Sequence, residues 1–125
     1  AELRRGGVRI TLDDFGIGHC SIDHLRRFPI DGLKVDRSFA FTMVDGGRGE
    51  GLVDVMMKLG RLFGLPAVLE GIETERQMDL AVKLGAKALQ GYHISRPVPA
   101  DTVRKLILSA GFEPQKPAYA IKLNR

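Results

Sequence analysis

Tryptophan is absent from the 125 residues, and cysteine occurs once, as Cys20. A lone thiol excludes an internal disulfide and suits a reducing compartment, so a cytoplasmic location is expected. A parent protein attached to a membrane through other domains is compatible with that expectation. No apolar run approaches the ~18–20 residues of a membrane helix, and the N-terminus lacks a signal-peptide layout. The chain begins with Ala1, which fits removal of Met or a piece of a longer protein. The net charge is +4, yet basic residues occur only in short pairs such as Arg4-Arg5, Arg26-Arg27 and Arg104-Lys105. Sequence-readable nucleic-acid sites show a clustered stripe, so no DNA or RNA partner is expected. The glycine-rich segment Asp45–Gly51 lacks the G-K-[ST] ending of a phosphate loop and reads as a flexible connection. His19, His24 and His93 have no metal-ligand spacing, and adjacency of Cys20 to His19 is not triad geometry.

What is present is the patterning of a folded α/β domain. Hydrophobic residues make up 44% and charged residues 27%, which suits one soluble domain with a real core. Val8 to Asp13 alternates apolar and polar residues as a strand does. Ser21 can cap a short helix carrying Ile22, Leu25 and Phe28, stopped by Pro29. Leu33 to Asp36 alternates again. Gly49 to Phe63 reads as a helix with Leu52, Val55, Met56, Leu59 and Phe63 on one face and Gly64 as its stop.

Ala67 to Glu70 is a third short strand. Thr74 to Gln77 has capping-box form and opens a helix through Leu84, closed by Gly85. Lys87 to Gln90 is a fourth strand. Asp101 can cap a last helix with Val103, Leu106, Ile107 and Ala110 inward and Gly111 at its end. The stretch from Phe112, with Pro114 and Pro117, looks irregular. Four βα units in succession predict a parallel sheet covered by helices.

Each strand ends in a polar residue that apolar burial does not explain: Asp13 with Asp14, Lys34, Glu70 and Gln90. Their successive spacings, counted from Asp14, are 20, 36 and 20 residues, one βα unit each, with the middle unit enlarged by the 45–51 segment. Parallel strands put their C-terminal ends on one side, so these groups can converge. Active sites of (β/α)₈ barrels occupy that face, and a complete barrel takes about 250 residues. This chain holds half that.

Two adjacent carboxylates suit hard cations such as Mg²⁺ or Mn²⁺, although an isolated pair more often solvates a turn. Lys34 can orient a phosphate or a water, or point to solvent. Glu70, inside an apolar run and before Gly71, can serve as a general base or a ligand. Gln90 offers a neutral donor and acceptor, to a substrate or to its own neighbours.

Four segments sharpen this: Leu12–Gly18 (LDDFGIG), Leu33–Phe39 (LKVDRSF), Glu70–Thr74 (EGIET), and Gln90–Tyr92 (QGY) followed by Ser95–Pro97 (SRP). In order and spacing they resemble the C-terminal half of an EAL domain, the bacterial cyclic-di-GMP phosphodiesterase module. The motif-bearing part is residues 8–110 of a partial domain spanning 1–125, with 112–125 as the irregular tail. The resemblance implies half of a TIM-like (β/α)₈ barrel whose complete form uses two Mg²⁺ or Mn²⁺ ions to hydrolyse cyclic-di-GMP to pGpG. It implies metal-binding roles for Asp13 and Asp14, a water-contacting role for Lys34, and a base or metal-support role for Glu70. Gln90 would line the substrate site. Phe15, Gly16, Gly18 and Ser21 would belong to a loop coupling metal, substrate and dimerisation, and Glu73 to the next loop.

Departures accompany the likeness. The Glu-Ala-Leu motif is absent, as are the asparagine and glutamate that complete the family's metal cage. Ile17 stands where threonine is usual, His19 where tyrosine is common, and Leu69 replaces a small residue. The chain alone is therefore expected to be inactive. A non-catalytic cyclic-di-GMP receptor, a dimerisation module and another phosphate-binding (β/α)₈ enzyme are the alternatives. Open sheet edges of half a barrel predict a homodimer or higher oligomer.

Overall fold

The computed structural model describes residues 2–18, 22–43 and 47–110. The expected Ser21 cap, His19, Cys20, the Asp45 end of the glycine-rich segment, the Gly111 stop and the tail lie outside the described residues. The elements are α1 (Glu2–Arg5), β1 (Thr11–Phe15), α2 (Ile22–Arg27), β2 (Gly32–Val35), α3 (Arg37–Thr42), α4 (Arg48–Leu62), β3 (Ala67–Glu70), α5 (Glu75–Lys83), β4 (Ala88–Gln90) and α6 (Ala100–Ser109). The four strands form one parallel sheet in the order β1-β2-β3-β4. This is the expected α/β alternation. Among the described residues, no helix is long and apolar enough to cross a membrane.

Register explains which side of the sheet does what. Leu33 and Val35 of β2, Ala67 and Leu69 of β3, and Leu89 of β4 are buried and share the face under the helices. The alternate residues Lys34, Val68, Glu70, Ala88 and Gln90 share the opposite face, because side chains alternate along a strand. One face therefore makes the core. The other carries the polar groups.

Helix α4 corrects part of the expected inward face: Met56 is buried and Leu59 packs against the core as expected, but the rest of the stripe turns outward. Leu52 and Val55 are half exposed and Leu62 is 81% exposed, whereas Gly49, Val53, Met56, Met57 and Gly60 are buried. The reason is close approach. A Cβ at Gly49 would collide with the Thr42 carbonyl, and one at Gly60 would lie 2.9 Å from the Leu65 carbonyl oxygen. Counting large apolar residues carries the stripe past the true contact when glycines mark it. The helix begins at Arg48, one residue before the expected Gly49, so the end of the glycine-rich segment is its first turn rather than a flexible connection. The long middle unit is thus filled by two helices.

Other expectations shift similarly. The first strand runs Thr11–Phe15 rather than from Val8, which is exposed. In α2 only Leu25 is buried; Ile22 and Phe28 are exposed, and Phe28 packs its ring 5.4 Å from that of His24. Asp36 ends no strand. It caps α3, accepting a hydrogen bond from the Ser38 N–H at 2.8 Å. Hydrogen bonding from Ser38 holds the Asp36 carboxyl below its usual value of 3.8. Helix α6 starts after Pro99, not at an Asp101 cap, and none of its residues is buried.

Helix α5 forms where its signals predict. Thr74 accepts from the Gln77 N–H at 3.2 Å, and Gln77 Oε1 accepts from the Thr74 N–H at 3.0 Å. Gln77 Nε2 also donates to the Ala40 carbonyl at 3.0 Å, which ties α5 to α3.

The corrected face of α4 has a direct test. Met57→Ala is expected to cost ~2–5 kcal/mol of unfolding free energy, as cavity-forming core truncations do. Leu52→Ala should stay within about 1 kcal/mol. Urea denaturation of both variants checks this, and equal losses would restore the Leu52 stripe as the packed face.

Candidate metal and phosphodiester site

The two carboxylates of β1 would point to opposite faces in a regular strand. The register prevents that. Leu12 pairs with Leu33 and Phe15 with Val35, so Asp13 and Asp14 together oppose the single residue Lys34. Such a bulge bends a strand and re-aims its side chains. Asp14 takes a left-handed φ of 53°, which aspartate tolerates better than most residues. Both carboxylates thereby reach one site.

Lys34 enters from the neighbouring strand. Its Nζ lies 2.7 Å from Asp13 Oδ1, a hydrogen-bonded ion pair, and 2.5 Å from Glu70 Oε1. Glu70 is the one charged residue buried among those described, at 6% exposure. Its Oε1 makes a charge contact with Lys34 but no directed hydrogen bond, so a buried acceptor is left short of donors. Burial opposes the lysine charge, but Asp13 and Glu70 outweigh it and hold the ammonium above its usual value of 10.5. Carboxylate oxygens of Asp13, Asp14 and Glu70 all lie within 4.8 Å of one another.

The turn that follows Glu70 depends on glycine. Gly71 has a φ of +78°, and a Cβ there would meet Arg37 at the start of α3. Gln90 is the register partner of Glu70, and its carbonyl accepts from the Ile72 N–H at 3.1 Å. So the sites expected from four strand ends do meet at one end of the sheet.

The remaining residues sit around this centre. Phe15 is buried at the end of β1. Gly16 and Gly18 have φ of +103° and +60°, and Gly16 faces Phe39 of α3 and Met56 of α4 so closely that a Cβ would push those side chains aside. Ser21 lies outside the described residues. Glu73 is exposed, and its N–H donates to Gln77 Oε1 at 2.8 Å, a helix-start role for its backbone. Tyr92 and Arg96 belong to the QGY and SRP segments but had no role of their own there; the Arg96 guanidinium lies 4.6 Å from the Tyr92 ring centroid just beyond Gln90. Their i, i+4 aromatic–arginine spacing was the available signal.

Three clustered carboxylates, one of them buried and short of donors, fit a hard divalent cation by donor chemistry. Three oxygens leave positions for water and phosphate oxygens around an ion that takes six ligands.

The charge cluster itself can be tested without a ligand. Lys34→Met strands the buried Glu70 and is expected to cost ~3–5 kcal/mol, whereas adding Glu70→Leu should recover most of it. Urea titrations of both variants measure the recovery. Additive losses would show that the pair is not coupled.

Comparison with known proteins identifies the family. The family model described as "EAL domain" matches residues 1–97. The bifunctional diguanylate cyclase/cyclic di-GMP phosphodiesterase MucR of Pseudomonas aeruginosa is 39% identical over 100 residues, covering 80% of this chain and 15% of MucR. A structure of the PaMucR phosphodiesterase in complex with c-di-GMP matches with a TM-score of 0.76 at 38% identity, over 82% of this chain and 45% of that one. A manganese/cy-diGMP complex of Klebsiella pneumoniae BlrP1 matches with a TM-score of 0.66 at 28% identity, over 73% of this chain and 23% of that one. The chain thus spans less than half the length of each of these relatives. Within those spans the chain belongs to the EAL domain family.

Proposed function

We propose that this chain is the C-terminal half of a cyclic-di-GMP phosphodiesterase domain and supplies part of its catalytic centre. The observation that carries the reading is the meeting of Asp13, Asp14 and Glu70 carboxylates around Lys34 at the C-terminal ends of parallel strands. The phosphodiesterase and c-di-GMP designations of MucR and its complex support the substrate, and the manganese complex of BlrP1 supports a divalent metal.

The reaction adds one water across one phosphodiester: a P–O bond to the water oxygen forms, and the P–O bond to the ribose oxygen breaks. Asp13, Asp14 and Glu70 would hold Mg²⁺ or Mn²⁺, with further ligands from outside this sequence. Held there, a divalent ion would supply Lewis-acid polarisation of the phosphoryl oxygen and a lower pKa for water. Lys34 directs an N–H at the water or the developing phosphoryl charge, as preorganised cations do. Glu70 accepts the water's proton or steadies the ligand set, and Gln90 hydrogen-bonds the substrate.

In the domain completed with its upstream half, Glu70→Gln should lower pGpG formation by ~10²-fold or more. This chain alone, incubated with cyclic-di-GMP and Mn²⁺, should form none. Hydrolysis unchanged by Glu70→Gln would remove Glu70 from the chemistry, and binding without hydrolysis by the unsubstituted complete domain would make it a receptor.

A second copy of the chain is the proposed partner. Among the described residues, strands β1 and β4 each have one neighbour in the sheet and leave two open edges, and α4 exposes Leu52, Val55 and Leu62. Light scattering at micromolar concentration should give a mass at least twice 13.7 kDa. A monomer of that mass would contradict it.

A further inference from the structure

Lys34 occupies the space between the carboxylates more tightly than a water-directing residue requires. Its ammonium touches Asp13 Oδ1 at 2.7 Å and Glu70 Oε1 at 2.5 Å, two oxygens on two other strands. The Lys34 side chain is 20% exposed and that of Glu70 9%, so solvent screens this contact poorly. Among the described residues, Glu70 Oε1 has no hydrogen-bond donor to replace it. A buried carboxylate with its counter-charge removed is strongly unfavourable. Three carboxylates within 4.8 Å would also repel one another without a cation among them.

We propose that Lys34 is the resident cation of this site, holding Asp13 and Glu70 in place without metal, and that a divalent ion binds by displacing its ammonium from them. The inference rests on the metal-site reading above and adds a competition to it. Two cations of like sign cannot share the same oxygens at contact distance, so ion entry swings the four-carbon stem outward. The exchange keeps the carboxylates neutralised in both states. It also sets a threshold: the ion must outbid a tethered ammonium, which weakens metal binding while protecting the empty site from collapse or rearrangement. Lys34 in this role is a positioning residue.

The test uses the 125-residue chain and Mn²⁺ alone. Free Mn²⁺ is counted by its electron paramagnetic resonance signal for the unsubstituted chain and for Lys34→Met. The variant should bind Mn²⁺ at least ~10-fold more tightly, since the competing charge is gone. In the unsubstituted chain, acetylation of Lys34 Nζ, read by mass spectrometry, should be slow in chelator and rise several-fold in saturating Mn²⁺. Lys58, 60% exposed and paired to Asp54, is the internal control and should not change. This second arm needs no variant, so a misfolded Lys34→Met does not void the test. Mn²⁺ bound equally by both chains, or bound with Lys34 still protected, overturns the displacement and leaves the metal site standing. Failure of both chains to bind Mn²⁺ overturns the claim that Asp13, Asp14 and Glu70 hold an ion within this chain, and the displacement with it.

Discussion

A buried carboxylate needs a positive partner, and in this chain that partner is Lys34. The pairing of Lys34 with Glu70 and Asp13 is the constraint on which the rest of the site depends. It requires β1, β2 and β3 to be parallel and adjacent, so that three polar strand ends arrive together. It also requires strict alternation. Leu33, Val35 and Leu69 must sink into the helix-covered core for Lys34 and Glu70 to emerge on the other face. Packing on one side thus sets the charge geometry on the other.

Local irregularities finish what the sheet begins. A bulge at Asp13 and Asp14 brings two consecutive side chains to the site, which no regular strand can do. Asp36 follows the last residue of β2, two positions after the site lysine, and caps α3, while Gly71 turns the chain after Glu70 against Arg37 of the same helix. Short α3 therefore braces two of the four strand ends. Gly16, packed on Phe39 and Met56, links the loop after the carboxylate pair to α3 and α4.

Much of this was legible in the residues. The βα order, the capping box at Thr74 and the convergence of Asp13, Asp14, Lys34, Glu70 and Gln90 follow from alternation and spacing. What was not legible depends on tertiary approach. The inward stripe of α4 is chosen by Gly49 and Gly60, small residues that carry no hydrophobic signal. Ile22, Phe28 and the apolar side of α6 are exposed because the described residues pack nothing over them. Asp36 reads equally as a strand end or a cap, and only the chain direction after Val35 decides. The bulge at Asp13–Asp14 is invisible in a linear pattern, because it is a mismatch between two strands rather than a property of one.

The central claim is that these strand ends form one hard-cation centre made of oxygen ligands. Crystals of the chain grown with Mn²⁺ and measured near the manganese absorption edge test it most directly. The account predicts an anomalous peak at bonding distance from carboxylate oxygens of Asp13, Asp14 and Glu70, with Lys34 Nζ moved off Asp13 and Glu70. A manganese site elsewhere on the chain, with the Lys34 contacts intact, would contradict it.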